Sequence, residues 1–313
     1  MSLTEEIIEL HKAGLSNREI VALGYVSNNV RGRVSEYESA LKKARAAGLG
    51  GAQQNLLLDD KEPPSPSPVK HIVIPDTQCK PGVPLDHLRW AGQYIAEQKP
   101  DVVVHLGDHW DLPSLSSYEK RGSHYFEGKR LVDDIEAGNE GLRELHHSGW
   151  RLNKPRMVML RGNHEDRLTR AINENPTQLD GVVSFDDFDD ARLGWEVQDY
   201  LKPVTIDGVT YSHYFYNPNT GRSYSGSVDT MLRNIGFTFV MGHQQGLRIG
   251  RRELPNGQTQ RGVVAGSFYQ HNEEYRGPQA SYEWRGILVL HEVGEGSFDL
   301  MEVSLDYLRR RYA

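Results

Sequence analysis

The chain has 313 residues, of which 37% are hydrophobic and 25% charged, enough for about two domains with real cores. A single cysteine, Cys79, excludes an intrachain disulfide, and no apolar run reaches the roughly 20 residues of a membrane helix, so a reducing cytoplasm is the expected setting. The net charge of −7 excludes a surface that coats nucleic acid as a whole; any such contact has to be local.

The first ten residues, MSLTEEIIEL, carry acids where a secretory signal carries bases. Residues 1–48 read as a small all-α domain. Ile7, Ile8 and Leu10 share a helical face that stops at Gly14, and Ser16 with Glu19 has capping-box spacing before Gly24. A longer helix then starts at Ser27. Two short helices and a longer one with tight turns form a helix-turn-helix-like pattern, with Asn28, Asn29, Arg31 and Arg33 placed to meet base edges and phosphates. A helical protein-interaction module fits the same pattern. Residues 49–68, with their Gly, Gln and alternating Pro-Ser, cannot build a core and read as an extended linker.

From 69 to 313 the texture is that of one α/β domain. HIVIPD (71–76), DVVVHLGD (101–108) and RMVMLRGNHE (156–165) are near-continuous apolar runs, as strands covered on both faces require. Helices are expected between them over 84–98 and roughly 126–147, which makes βαβ units. The second half carries VTYSHYF and FTFVMGH, and two hairpins turning at Pro-Asn-Gly and Gly-Glu-Gly. The expected fold is a layered αββα sandwich.

Each strand ends in polar residues: Asp76-Thr77-Gln78, then Gly107-Asp108-His109-Trp110-Asp111, then Gly162-Asn163-His164-Glu165, and later His213 and Gly242-His243-Gln244-Gln245. In α/β sheets functional groups gather beyond the carboxyl ends of strands, where side chains leave the packed layers for a shared crevice. Carboxylates, an amide oxygen and imidazoles together suit a pair of divalent cations that clamp a phosphate. His105, on a buried strand, reads as core. His271 and the basic 308–312 segment read as solvated, and Cys79 has no partner that would make it a nucleophile.

In these motifs the chain resembles the calcineurin-like metallophosphoesterase superfamily: GD-x-x-D at 107–111, GNHE at 162–165, the lone His213 and GH at 242–243 occur in that family's order. The layout, with an N-terminal helical segment, is similar to phosphoesterases carried by bacteriophages. The resemblance implies that Asp108 bridges two metals. It assigns Asn163, His213 and His243 to one of them and Asp76 to the other. It also implies that His164 donates a proton to the leaving oxygen, and that Asp111 orients His164 or a metal-bound water.

The chain departs from the family where Gln78 and Gln245 stand in place of two histidines that both serve one ion. Exchanging two ring nitrogens for amide oxygens moves that pole towards harder cations, so Mn is the expected metal, with Mg an alternative at the Asp76/Gln78/Gln245 pole. The expected activity is a metal-dependent phosphodiesterase acting on nucleic acid, DNA in particular: a hydroxide shared by the ions attacks phosphorus and His164 protonates the departing oxygen. Two alternatives stay open, a phosphoprotein or nucleotide phosphatase and a non-catalytic DNA-binding protein with a relic domain.

Overall fold

The computed structural model describes residues 69–117, 120, 122–146, 154–272 and 283–313. The chain divides after Ser65, and the unit from Pro66 to Ala313 carries all the described elements. The helix-turn-helix-like segment, with Asn28, Asn29, Arg31 and Arg33, and the linker over 49–68 lie outside the described residues.

Two sheets face each other. The first has the order β11-β10-β1-β2-β3-β4. Strands β1 (Val69–Ile74), β2 (Val102–His105), β3 (Arg156–Leu160) and β4 (Glu196–Gln198) run parallel. Hairpin strands β10 (Gly286–Gly294) and β11 (Ser297–Ser304) extend it in antiparallel pairing. The second sheet has the order β5-β6-β7-β9-β8. Its centre, β6 (Val209–Ser212), β7 (Phe239–Met241) and β9 (Thr259–Ala265), is parallel, and β5 (Val204–Ile206) and β8 (Leu247–Glu253) are antiparallel edges.

The helices are α1 (Asp86–Gln98), α2 (Leu131–His146), α3 (Asp166–Glu174), α4 (Val228–Ile235) and α5 (Leu305–Tyr312), with single helical turns at Pro176–Leu179 and Asp190–Leu193. Helix α2 begins later than the sequence suggests, because Gly128 at φ 76° breaks the chain after a separate turn at His124–Phe126. The basic 308–312 segment is the end of α5 rather than a free tail: Leu308 is buried and Arg311 pairs with Glu97 at 2.7 Å.

Alternation along the strands explains their unbroken apolar character. Ile72, Ile74, Val103, Met157 and Met159 point into a core shared with α1, α2 and α5. Their neighbours Val73, Val102, Val104, Val158 and Leu160 point the other way, into a core shared with Tyr211, Val240 and Val263 of the second sheet. A third core packs Met231 and Leu232 of α4 on Phe239, Met241 and Val264. The layers are therefore helix, sheet, sheet, helix. Strands β1, β2, β3, β6 and β7 are buried over most of their length, and polar side chains gather just past their carboxyl ends.

Candidate metal centre and active site

Those ends converge. The amide of Phe268, just past β9, donates to Asp76 O at 2.7 Å, the amide of Gly242, past β7, donates to His213 O at 3.0 Å, and His213 Nδ1 lies 2.8 Å from Leu106 O. The two sheets are thus stitched at one rim, and contacts there join Asp76, Asp108, Asp111, Asn163, His164, His213, His243 and Gln245. The turns that do this are strained. Gln78, Asp108, His243 and Gln245 all have positive φ, from 43° to 66°, a region that costs an ordinary residue roughly 1–2 kcal/mol. Two glycines make room: a Cβ on Gly162 would overlap Asp108 Oδ1, and one on Gly242 would lie 2.5 Å from Asp76 Oδ1.

Asp108 is the hub. Its Oδ1 accepts the His164 amide at 2.9 Å, while Oδ2 lies 3.3 Å from His213 Nε2 and 3.8 Å from His164 Nε2. Ligand atoms of Asp108, His213 and His243 lie within 4.8 Å of one another, and Asn163 Oδ1 is 2.9 Å from His213 Nε2. The Nδ1–H of His213 donates to the Leu106 carbonyl, which turns Nε2 inward, the usual support of a metal-binding imidazole. Burial alone would push Asp108 up and His213 down. Attraction to His164 and then His213 wins for Asp108, holding it well below the ordinary carboxylate range, and Asp108 in turn holds His213 up at about 9. The same field favours any cation at that point. Burial and the neighbouring His213 lower His243 to about 4, so its ring is neutral and able to ligate. Two nitrogens and two oxygens in this arrangement fit one divalent cation.

The second pole is built differently. Burial and the Asp108 carboxylate push Asp76 up to about 6. Its Oδ1 accepts the His243 amide at 3.0 Å and its Oδ2 accepts Gln245 Nε2 at 3.3 Å. Gln78 is buried, and its backbone N–H donates to Asp108 O at 2.8 Å. The carbonyl oxygen of Gln245 accepts the Tyr269 hydroxyl at 2.8 Å and its NH₂ faces Asp76. In this orientation it donates to the carboxylate. A half-turn of the amide would exchange the two roles at the cost of both hydrogen bonds.

His164 sits beside the first pole. Its Nδ1 is 2.6 Å from Asp111 Oδ1, and its Nε2 is 3.2 Å from Arg167 NH2. Asp111 is itself held by Lys80 at 3.2 Å. Burial opposes the charged pair, but Asp108 and Asp111 outweigh it and raise His164 above its ordinary value. The Nδ1–H is committed to Asp111, and Nε2 accepts from the Arg167 guanidinium in this arrangement.

Sequence reasoning left Glu165, Arg167, Lys80 and Tyr269 without roles. Glu165 lies inside GNHE, but nothing local says what it binds. Its buried carboxylate accepts four backbone amides: His109 at 2.6 Å and Trp110 at 3.0 Å on Oε1, Gly162 at 2.7 Å and Asp108 at 3.0 Å on Oε2. It clamps the loop after β2 to the loop after β3. Glu165→Gln would turn an NH₂ onto two of those amides, and should destabilise the fold by about 3 kcal/mol, as for leaving buried donors unmet. Denaturant unfolding of the variant checks this; an unchanged midpoint would show the clamp to be dispensable.

The remaining candidates are structural. His105 is core as expected, its Nδ1 accepting the Gly107 amide at 3.2 Å and its Nε2 lying 3.2 Å from Thr77 Oγ1. His109 bonds Thr77 and the Gly138 carbonyl. Burial pushes the Cys79 thiol far up, away from the thiolate a nucleophile needs. His271 stacks on Tyr269 with ring centroids 4.6 Å apart.

A four-layered α/β sandwich whose strand ends gather carboxylates, an amide and imidazoles around one point defines a phosphoesterase that works with divalent metal ions. The calcineurin-like phosphoesterase family model matches residues 70–279, and the chain belongs to that family. It is 28% identical over 193 residues, 56% of its own length and 70% of the relative's, to the Gene 54 protein of Mycobacterium phage L5. Among solved structures, a Streptococcus pneumoniae TIGR4 protein described as a predicted phosphoesterase is similar, with 12% identity, a TM-score of 0.32, and coverage of 77% of this chain and 92% of the other. The phosphoesterase Yfce of E. coli is similar with 12% identity, a TM-score of 0.33, and coverage of 76% and 100%.

Proposed function

We propose that this chain is a phosphodiesterase that cleaves nucleic acid, DNA in particular, with Mn as its working metal. The observation that carries this reading is the His164–Asp111 pair beside the Asp108 cluster. A leaving group that stabilises its own charge needs no proton donor, whereas a sugar oxygen does, and proton transfer from a placed imidazole is worth roughly 10²–10⁴-fold there. A divalent cation held by Asp108, Asn163, His213 and His243 would polarise the phosphoryl oxygens and lower the pKa of an attacking water. The chain's own part is to fix that cluster by the Glu165 clamp, to orient His164 through Asp111, and to present Nε2 to the departing oxygen. The helix-turn-helix-like arm expected over 1–48 would raise the local concentration of DNA around the site.

A panel of small substrates tests this. Hydrolysis of bis-p-nitrophenyl phosphate well above that of p-nitrophenyl phosphate is expected with Mn. Monoester activity alone would favour a phosphatase, and no turnover of either would favour a DNA-binding protein with a relic domain.

Deleting residues 1–68 should leave small-diester hydrolysis nearly intact and weaken duplex binding, with a shallower dependence of log K on log salt. Equal DNA affinity in the truncated and full chains would remove the arm from the DNA interface.

The two glutamines make a separate expectation about metals. With Gln245 turned to Asp76 as a donor, one ion should bind tightly and a second weakly. Replacing both, Gln78→His with Gln245→His, adds ring nitrogens that reward late metals most. Competitive titration should show the double variant gaining affinity for Zn or Ni far more than for Mg. The same stoichiometry and ranking in both proteins would mean that neither side chain faces an ion.

A further inference from the structure

Behind the second pole lies a dry hydrogen-bond network that the expected chemistry does not use. Gln245 and Tyr269 are buried, and the Glu283 side chain is 2% exposed. The Tyr269 hydroxyl lies 2.8 Å from Gln245 Oε1 and 3.3 Å from Glu283 Oε1, and a phenol has one proton to give. Arg285 holds the other oxygen of that carboxylate, with Nε and NH2 at 3.3 and 2.9 Å from Glu283 Oε2. Its guanidinium also stands over the Tyr269 ring, 4.9 Å from the centroid. Glu283 thus presents Oε1 to the hydroxyl.

Two hydrogen-bond patterns satisfy these groups. In the one seen, Tyr269 donates to the Gln245 oxygen, and the Gln245 NH₂ donates to Asp76 Oδ2 at 3.3 Å. In the other, the amide makes a half-turn. Its NH₂ then donates to the Tyr269 oxygen, and the O–H of Tyr269 swings to Glu283 Oε1. The half-turn sets the amide oxygen where the NH₂ was, 3.3 Å from Asp76 Oδ2. Two oxygens held at about 2.1 Å and at right angles on one octahedral cation lie about 3 Å apart, so this pair suits adjacent positions on one ion. Without a cation between them the two oxygens repel each other; with one there, it is the NH₂ that is repelled. A buried donor or acceptor left unmet costs far more than one bond exchanged for another. The amide can therefore turn to an ion only because Glu283 takes the O–H that Gln245 gives up.

We propose that Tyr269 and Glu283 are positioning residues that let Gln245 change from a donor on Asp76 to an oxygen ligand, and so set the affinity of the second pole for its ion. The proposal rests on the reading of this site as a divalent-metal centre, and it concerns residues that the resemblance to the family leaves without a role.

The test titrates the full-length protein, stripped with chelator, with Mn, and reads free Mn by electron paramagnetic resonance. The parent should take up one ion tightly and a second more weakly. Tyr269→Phe removes the hydroxyl and keeps the ring against Arg285. It should weaken the second ion about tenfold, the worth of a hydrogen bond to a charged group, and leave the first within about twofold. Glu283→Gln, which weakens the acceptor and keeps its shape, should weaken the second ion in the same way. Thermal unfolding of the metal-free variants shows that the fold is kept. Unchanged or tighter binding of the second ion in either variant, an equal loss of both ions, or a parent that takes up one ion only would overturn the proposal. A parent that binds no Mn would instead overturn the metal-centre reading on which it rests.

Discussion

Asp108→Asn should reduce hydrolysis by roughly 10³-fold or more, because a centred carboxylate supplies several kcal/mol of charge stabilisation to a bound cation. The substitution keeps the shape of the side chain and removes its charge. Asp108 Oδ1 accepts the His164 amide and Oδ2 faces His213, so the carboxylate both shapes the loop and attracts the cation. An amide oxygen in place of Oδ1 preserves the first role, and an NH₂ in place of Oδ2 opposes the second. Bound metal measured after equilibrium dialysis should fall together with activity. Full activity with unchanged metal content would remove Asp108 from the centre of the site.

His164→Ala should slow hydrolysis of a DNA diester by roughly 10²–10⁴-fold, the range for a lost general acid. The loss should be much smaller for p-nitrophenyl esters, whose phenolate departs without a proton. Asp111→Asn should show the same pattern more weakly, since the amide can still hold the ring at the 2.6 Å contact but no longer favours the imidazolium. Measuring both variants across leaving groups of graded pKa separates proton donation from binding: a loss equal on every substrate would assign His164 to holding the phosphate.

The order of motifs carried most of the site into view. Near-continuous apolar strands ending in Asp76, Asp108, Asn163, His213 and His243 require a buried parallel sheet with a polar rim, and that rim is where the side chains meet. Asp111 beside His164 came from the resemblance to the family rather than from the strand pattern. The parts that were not legible depend on contacts between residues far apart in the chain. Glu165 binds amides 55 to 57 residues away, and the side chain that captures the Gln245 oxygen, Tyr269, lies 24 residues on in a different strand connection. An amide side chain has both an oxygen and an NH₂, and residue type alone cannot say which one faces a neighbour. Strand β4 was missed because it is only three residues long; helix α4 was missed although Ser227 caps its start and Gly236 its end, a signal that could have marked it.

The measurement that bears most directly on the central claim is cleavage of labelled single- and double-stranded DNA by the full-length protein, stripped with chelator and then given Mn, Mg, Zn or Ni. The expected result is no cleavage by the stripped protein and cleavage restored by Mn, in a form that Asp108→Asn and His164→Ala both lose. DNA left intact with every metal, by a protein that hydrolyses phosphate monoesters under the same conditions, would contradict it.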